Sequence, residues 1–223
     1  IYARLLEAPG VDIIEGHGEL AGPQEVFVGE SRYRAEKILL ATGTWPDMPA
    51  IPGIELALTS NEIFDLERFP ERLLIVGGGY IATEFASIFS GLGAKVAQSY
   101  RGELFLRGID HDIRQFLADE MRKAGVDLRF NHHVTALESQ SGGVLAHLSD
   151  GNESFDAVLY ATGRRANIAQ LGLEHAEVTL TEAGYIKVND AFQTAEPSIY
   201  ALGDMTGGWE LTPVAIAEAM AFA

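Results

Sequence analysis

Three consecutive glycines, Gly77, Gly78 and Gly79, form the part of this sequence with the clearest chemical use. They follow the apolar run at residues 73–76 and precede apolar residues at helical spacing, which predicts a turn from a buried strand into a helix. In such a turn Gly77 permits the tight bend, Gly79 lets the backbone approach a pyrophosphate, and Ala82 supplies the small residue where helix packs on strand. The N–H groups at the helix start would bind the phosphates. The flanking elements therefore favour a dinucleotide site over a tight turn without a ligand.

The end of the next strand, at Ser99-Tyr100-Arg101, indicates which dinucleotide would bind. An NAD site carries an acid there, about 20 residues after the glycines, to bind the ribose 2′-OH. No acid occupies this strand end, while Arg101 and Arg107 could clamp a 2′-phosphate. Glu103 lies between them and either points to solvent or pairs with one arginine. Two solvated loop charges are the alternative, and we favour an NADPH site because the chain has only 16 basic residues.

The composition limits the other classes of function. The 223 residues carry a net charge of −16, and a field of that sign repels nucleic acid and anionic membrane surfaces. No apolar run approaches the roughly 20 residues that span a bilayer, and no signal peptide is visible, so a cytoplasmic location is the default expectation. The absence of cysteine excludes disulfides, thiolate nucleophiles and cysteine-based metal sites from this chain. No metal site is expected, and the six histidines, including the pair His132-His133, are predicted to lie at the surface.

The elements that position the glycine turn alternate between strands and helices. Buried strands are predicted at residues 73–76, 94–100 and 126–130, with a helix in each interval, the second beginning at Asp110 or Asp112. The apolar faces predicted for these helices consist of Ile81, Phe85, Ile88, Phe89 and Leu92 in the first, and Ile113, Phe116, Leu117, Met121 and Ala124 in the second. This β-α-β-α-β order is the nucleotide-binding half of a doubly wound sheet.

Shorter elements are predicted in the rest of the chain. An antiparallel meander with a turn at Gly142-Gly143 covers residues 133–149, and a buried strand follows at residues 156–163. Further strands are predicted at residues 11–15, 25–28, 37–43 and 198–204, and an extended Pro-rich linker at residues 46–53. A final helix opens at Thr212-Pro213, with Thr212 as its cap and proline in its first turn. Because the chain begins without Met and stops inside this helix, we expect it to be part of a longer protein.

The stretch from Gly77 to Ala86, followed by Arg101 and Arg107, resembles the NADPH domain of glutathione reductases, within the class I FAD-dependent pyridine nucleotide–disulfide oxidoreductases. The resemblance covers nearly the whole chain through four more motifs: Ala41-Thr42-Gly43, Ala161 to Asn167, Gly203-Asp204 and Leu211-Thr212-Pro213. Ala166 departs from the family pattern, which usually has proline there.

The resemblance implies a central fragment of such a protein. Its fold would be α/β, with a Rossmann-like NADPH-binding domain of three layers, containing a parallel sheet and a β-meander, inserted in part of a second, FAD-binding domain. Residues 1–65 would be part of the FAD-binding domain and a linker, and residues 66–165 the NAD(P)-binding domain. Residues 166–223 would be the truncated C-terminal part of the FAD-binding domain.

The residues that the resemblance assigns to NADPH lie in three segments: Gly77, Gly78, Gly79, Tyr80, Ile81, Ala82 and Glu84; Arg101 and Arg107; and Gly163 and Arg164. Tyr80 would be an aromatic gate over the nicotinamide pocket, and Glu84 would lie near the contact between nicotinamide and flavin. These two are therefore the catalytic candidates. The alternatives are a surface-packed Tyr80, a Glu84 that only stabilises the helix dipole, and an Arg164 in an ordinary surface ion pair.

Five residues would bind FAD according to the resemblance: Gly18, Thr42, Gly43, Asp204 and Thr212. Thr42 and Gly43 would end a strand near the flavin, and Asp204 would bind the ribityl chain. The N–H of Thr212 and its helix dipole would stabilise negative charge on the reduced flavin. Gly18 would belong to the backbone site for the adenine, and a plain turn is an equal alternative there.

The implied reaction moves hydride from NADPH to FAD, and electrons then pass through a Cys disulfide to glutathione disulfide, a small-molecule substrate in cell redox homeostasis. The intact protein would form a homodimer through a C-terminal domain outside this chain. The chain has no redox cysteine pair and no histidine in the context of the family's catalytic one, so alone it would be inactive. Alternatives are a reductase for trypanothione or mercuric ion, a lipoamide dehydrogenase, which should carry an acid near Tyr100, or a non-catalytic NADPH-binding module.

Overall fold

The computed structural model describes residues 2–223, which form two compact units. The first unit combines the residues up to Trp45 with Arg165–Ala223, and the second is Pro46–Arg164, between them in sequence. The helices are α1 (Tyr2–Glu7), α2 (Tyr80–Gly91), α3 (His111–Lys123) and α4 (Thr212–Phe222). The strands are β1 (Gly18–Gly22), β2 (Glu25–Val28), β3 (Ser31–Arg34), β4 (Ile38–Leu40), β5 (Thr44–Pro46), β6 (Arg72–Val76), β7 (Lys95–Tyr100), β8 (Asp127–Phe130), β9 (Val134–Gln140), β10 (Gly143–Leu148), β11 (Gly151–Phe155), β12 (Ala157–Tyr160), β13 (Arg164–Ala166) and β14 (Ile199–Ala201).

The second unit is built on a parallel sheet with the strand order β12-β6-β7-β8. Successive residues of the central strand β6 face opposite sides of this sheet, as the period of a strand requires. Leu73 and Ile75 join the cluster that includes α2 and α3, whereas Leu74 and Val76 join the cluster that includes the meander. The predicted three-layer α/β fold with a parallel sheet is therefore confirmed.

The meander consists of β9, β10 and β11 in antiparallel pairs, and Gly142 makes the first turn with a φ of 87°. Its third strand was not predicted. The Pro-rich segment packs on this meander, since Met48 and Ile51 contact its apolar cluster and Leu137 N donates to Pro52 O at 2.8 Å. The segment predicted as a linker thus belongs to the second unit.

The buried faces of α2 and α3 differ from those predicted. Ile88 of α2 is 51% exposed, and Ile113 and Phe116 of α3 are 59% and 68% exposed. Leu92, which directly follows α2, is 66% exposed. The residues that pack inward are Ala82, Thr83, Phe85, Ala86 and Phe89 in α2, and Ala118 and Met121 in α3. Both faces include alanine, whose small side chain lets a helix lie close to the sheet.

The first unit contains the antiparallel sheet β1-β2-β3 and the parallel pair β14-β4. Its core includes Leu20, Leu40, Ile186, Ile199 and Met205. The strand predicted at residues 11–15 is absent from the described structure, and Val11, Ile13 and Ile14 are each about half exposed. The prediction was wrong because no described strand pairs with this segment. Instead, Val11 N donates to Leu6 O after α1.

The start of α4 also corrects a prediction. Its cap is Leu211, whose carbonyl accepts from Val214 N at 2.9 Å and Ala215 N at 3.1 Å. Thr212 is already the first helical residue, so it is not the cap, although Pro213 does lie in the first turn. Among residues 2–223, no helix is long and apolar enough to cross a membrane.

Candidate functional site

The glycine turn joins β6 to α2 within the second unit and is held by both neighbouring strands. Gly77 has a φ of 149°, and its N–H donates to Ser99 O at 2.9 Å. Gln98 Nε2 donates to Gly77 O at 3.1 Å. A Cβ at Gly77 would lie 2.8 Å from the carbonyl carbon of Ala161 and would overlap its oxygen. Glycine is required here because the φ is unfavourable for other residues and rigid backbone fills the space.

Gly78 connects the turn to the loop that follows β7. A Cβ at Gly78 would lie 2.6 Å from Cγ of Tyr100, so the aromatic ring packs directly on the turn. The carbonyl of Gly78 accepts a hydrogen bond from Leu106 N at 2.7 Å. The backbone that carries Arg107 is therefore tied to the glycine turn.

Gly79 is the cap of α2. Unlike Gly77 and Gly78, it has open space around the position that a Cβ would take. Its φ of −87° is ordinary, and no heavy atom lies within 4 Å of a Cβ built there. Ala82 is fully buried, and its Cβ lies 3.1 Å from the position that a Gly77 Cβ would take. The small Ala82 lets the helix pack close to the glycine turn, and the open space at Gly79 leaves the helix start accessible. An anion could therefore reach the backbone N–H groups there.

The other candidate residues of α2 lie in its first turns. Tyr80 is 43% exposed and Glu84 is exposed, whereas Ile81 packs partly against the core. The first two side chains can therefore meet a ligand, and Ile81 can contribute only its backbone and the edge of its side chain.

A cavity of about 390 Å³ lies beside the end of β7. Arg107 lines it together with Glu103, His111 and Arg114. Arg101 is exposed, directly follows β7, and is not among the lining residues in the described chain. The structure thus brings one of the two predicted phosphate-binding arginines to this cavity and adds two basic residues from α3.

Arg114 is the functional candidate that the sequence interpretation missed. Its Nε donates to Phe105 O at 2.6 Å, and its Nη2 donates to Leu104 O. Asp110 caps α3, because its side chain accepts from the backbone N of Asp112 and Ile113. The sequence left the helix start open between Asp110 and Asp112, and the cap at Asp110 puts Arg114 in the first turn of α3, where side chains tilt back toward the preceding loop.

Gly163 lies in the loop after β12 and Arg164 is the first residue of β13, both within the second unit. Gly163 has a φ of 155° and its carbonyl accepts from Asp47 N at 2.9 Å. Arg164 Nη1 donates to Ser60 Oγ at 3.3 Å. No heavy atom lies within 4 Å of a Cβ built at Gly163, so the space above it is open.

The candidate flavin residues of the first unit gather beyond the parallel pair β4-β14. Thr42 Oγ1 donates to Asn167 O at 2.7 Å, and Gly43 turns the chain with a φ of 67°. Asp204 follows β14, and its Oδ2 accepts from Thr44 Oγ1 at 3.4 Å. The carboxyl ends of parallel strands are where open α/β sheets bind ligands. Thr42, Gly43 and Asp204 therefore lie at one sheet edge.

The two remaining flavin candidates occupy regular structure. Thr212 begins α4. Gly18 begins β1 and pairs with Val28, so it lies in a strand and not in a turn. Beside it, His17 Nε2 lies 2.8 Å from Gln170 O.

A buried histidine behind the glycine turn corrects the expectation that all histidines lie at the surface. His132 is buried, its Nδ1 lies 2.8 Å from Ser99 Oγ, and its Nε2 lies 2.9 Å from Asp150 Oδ1. The hydrogen bond to His132 holds the pKa of Asp150 below its ordinary value. Ser99 is fully buried, which excludes substrate from this serine, so the three side chains brace the sheet end. In β12, burial raises the pKa of Tyr160 to about 12.

Comparison with known proteins gives close relatives over the whole chain. Residues 1–219 match the pyridine nucleotide-disulphide oxidoreductase family. Glutathione reductases from Burkholderia cepacia and Nostoc sp. are 47% and 42% identical over 100% of the chain, which spans 50% and 51% of those proteins. A trypanothione reductase from Trypanosoma congolense is 38% identical over 95% of the chain.

A solved structure agrees with these relatives. The HOCl-induced flavoprotein disulfide reductase RclA from Escherichia coli, as its Cu(II) complex, superposes with a TM-score of 0.93 at 33% identity. The match covers 99% of this chain and 51% of that one, so the chain spans about half the length of the proteins it matches. On the family match and these identities, the chain belongs to the pyridine nucleotide-disulphide oxidoreductase family.

Proposed function

We propose that this chain is the NADPH-binding portion, with part of the FAD-binding portion, of a flavoprotein disulfide reductase of the glutathione reductase type. The observation that carries the proposal is in the second unit: an open helix start at Gly79, joined through Gly78 and Leu106 to a cavity lined by Arg107. This arrangement offers N–H groups to a pyrophosphate and a guanidinium to a 2′-phosphate.

The domain assignment made from the sequence is part of this proposal, although the compact units divide at Pro46 and Arg164. Residues 66–165 would bind NADPH, and residues 1–65 and 166–223 would contribute to the FAD site and the linker. Thr42, Gly43 and Asp204 support the second assignment because they lie at the carboxyl edge of one strand pair, where ligands bind in such folds.

The residues of the chain would bind and orient the cofactors. NADPH supplies the hydride when bound, and FAD accepts it and passes electrons onward. Tyr80, partly exposed at the start of α2, would cover the nicotinamide, and Glu84 would lie beside it. In the first unit Asp204 would bind the ribityl chain, and Thr212 N–H at the start of α4 would favour the reduced, anionic flavin.

The remaining properties of the whole protein rest on the resemblance and on its relatives. Glutathione disulfide is the expected substrate, since two glutathione reductases are 47% and 42% identical to this chain. A homodimer and a cytoplasmic location belong to the same proposal. An NAD-dependent lipoamide dehydrogenase is disfavoured because arginine, not an acid, follows Tyr100.

Titration with NADPH and NADH tests the cofactor assignment. The wild-type protein should bind NADPH more tightly, and Arg107→Ala should reduce that preference about 10- to 100-fold, because a hydrogen bond to a charged group contributes about 1.5–3 kcal/mol. Arg101→Ala should also reduce it. Arg68→Ala is the matched control, since Arg68 is exposed and does not line the cavity. Equal affinities for NADPH and NADH would show that no 2′-phosphate site exists.

The flavin and substrate assignments need the intact protein. Its visible absorption spectrum should show bound flavin, and glutathione disulfide should stimulate NADPH oxidation. Asp204→Ala should weaken flavin retention on dialysis. A colourless intact protein would contradict the FAD assignment, and oxidation stimulated by another disulfide alone would contradict the substrate.

A further inference from the structure

The guanidinium of Arg114 hydrogen-bonds to the loop between β7 and α3, the loop that carries Arg107. Arg114 is partly buried, and it donates to the carbonyls of two consecutive loop residues, Leu104 and Phe105. A planar guanidinium can serve two acceptors at once in a fixed geometry, which an ammonium group cannot. The first turn of α3 therefore holds the backbone that leads to Arg107.

The conformation of this loop requires such support. Leu106, the residue before Arg107, has a φ of 57°, in the left-handed region that costs a non-glycine residue free energy. Phe105 is fully buried, with its ring centroid 5.5 Å from that of Phe130. Leu106 N donates to Gly78 O at 2.7 Å. The packing of Phe105, the hydrogen bond of Leu106 N and the hydrogen bonds of Arg114 thus fix the backbone position of Arg107.

Arg114 also changes the charge of the cavity. Arg107 and Glu103 line it with opposite charges, so these two alone leave it without net charge for a dianionic phosphate. Arg114 lines the same cavity and makes the balance positive. A chain with a net charge of −16 needs such a local excess of positive charge to bind an anion.

We propose that Arg114 is a positioning and specificity-determining residue of the 2′-phosphate site: it holds the loop that presents Arg107 and adds its charge to the cavity. This inference rests on the proposed NADPH function. It extends the predicted arginine pair by a residue from α3, and it makes discrimination between phosphorylated and unphosphorylated ribose depend on a helix outside the glycine turn.

Calorimetric titration with adenosine 2′,5′-bisphosphate and with adenosine 5′-monophosphate tests the role of Arg114, because the probes differ at the 2′-phosphate. Arg114→Ala should weaken binding of the bisphosphate about 10- to 100-fold and that of the monophosphate less than about twofold. Arg114→Lys restores the charge without the paired hydrogen bonds, so it should recover only a minor part of the loss. Lys123→Ala is the matched control, since Lys123 lies on the same helix, donates to Glu120 and does not line the cavity.

The outcomes separate this inference from the proposed function. If the wild-type protein binds both probes equally, the NADPH assignment fails. If it prefers the bisphosphate and Arg107→Ala abolishes that preference while Arg114→Ala retains it, only the role of Arg114 is overturned. If Arg114→Ala weakens binding of both probes equally, the role of Arg114 in specificity is also overturned, because the residue would then act only on the structure of the site. If Arg114→Ala does not fold, Arg114→Lys decides, and a lysine variant with wild-type preference contradicts the proposal.

Discussion

Alanine substitutions at Gly77 and Gly79 should have opposite effects, although the two glycines are only two residues apart. Gly77 has a φ of 149°, and a Cβ there would lie 2.8 Å from the carbonyl carbon of Ala161. Gly79 has a φ of −87° and open space within 4 Å of its Cβ position. We expect Gly77→Ala to destabilise the second unit strongly, and Gly79→Ala to fold normally and bind NADPH poorly.

The magnitudes follow from these geometries. At Gly77, backbone strain of about 1–3 kcal/mol adds to an overlap with backbone atoms that cannot rotate away, so a loss above about 3 kcal/mol is expected. That is a large part of the roughly 5–15 kcal/mol that holds a typical domain together. At Gly79, the loss of a glycine cap costs a few tenths to about 1 kcal/mol, and reduced freedom of the unfolded chain offsets about 0.4–1 kcal/mol.

The binding effect of Gly79→Ala comes from distance. A methyl group at the helix start would keep phosphate oxygens from the backbone N–H groups, and each charge-assisted hydrogen bond contributes about 1.5–3 kcal/mol. NADPH affinity should therefore fall about 10- to 100-fold in calorimetric titration, with the thermal midpoint nearly unchanged by circular dichroism. Gly91→Ala is the control, because Gly91 also has open space but ends α2.

Two results would refute this reasoning. Wild-type NADPH affinity in Gly79→Ala would mean that no phosphate approaches the helix start. A wild-type thermal midpoint in Gly77→Ala would mean that the turn can move away from Ala161, and the steric requirement for glycine would be wrong.

Three further substitutions test individual contacts. The Tyr160 hydroxyl is buried without a hydrogen-bond partner among the described residues, so Tyr160→Phe should keep or raise the free energy of unfolding in urea by about 1 kcal/mol. Burial raises the pKa of Tyr160 to about 12, so the folded protein keeps a proton that the unfolded chain loses near pH 10. Stability should fall between about pH 10 and 12 more in the wild type than in this variant, and equal slopes would contradict the assignment. Asp110→Ala removes the cap of α3 and should lower the free energy of unfolding by about 1 kcal/mol, whereas Asp110→Asn should retain most of it. Asp150→Asn should lower the free energy of unfolding at pH 7. The hydrogen bond to His132 lowers the pKa of Asp150, so the folded protein favours the carboxylate, which asparagine lacks. The deficit should shrink as pH falls below about 4 and the wild-type carboxyl is protonated, and a constant deficit would exclude this hydrogen bond to the carboxylate.

The central sheet could be predicted because its signals are local and strong. A strand buried on both faces must be apolar at every position, and residues 73–76 are. The glycines after it mark the turn, and the next strand and helix repeat the pattern. The cap of α3 is equally local, since Asp110 accepts hydrogen bonds from N–H groups two and three residues away.

The buried faces of the helices could not be predicted from periodicity alone. In α2, the stripe through Ile88 and the stripe through Ala82 and Ala86 overlap, and both repeat at three or four residues. The stripe with Ala82 and Ala86 faces the sheet because the small alanine side chains permit a close approach. The strand predicted at residues 11–15 failed for a related reason: alternating apolar residues describe a strand only where a neighbour supplies hydrogen bonds.

The proposed 2′-phosphate site shows why a candidate residue can be missed when only positions along the sequence are considered. Arg101 and Arg107 were predicted because they follow a strand end, and of the two only Arg107 lines the cavity in the described chain. Arg114 reaches it through the tilt of the first turn of α3, which the cap at Asp110 makes derivable. Its hydrogen bonds to the loop carbonyls were not derivable, because the loop takes its path from the burial of Phe105 against strand β8. That packing joins residues distant in sequence, so in the proposed site the position of Arg107 depends on the core of the domain as well as on the sequence of the loop.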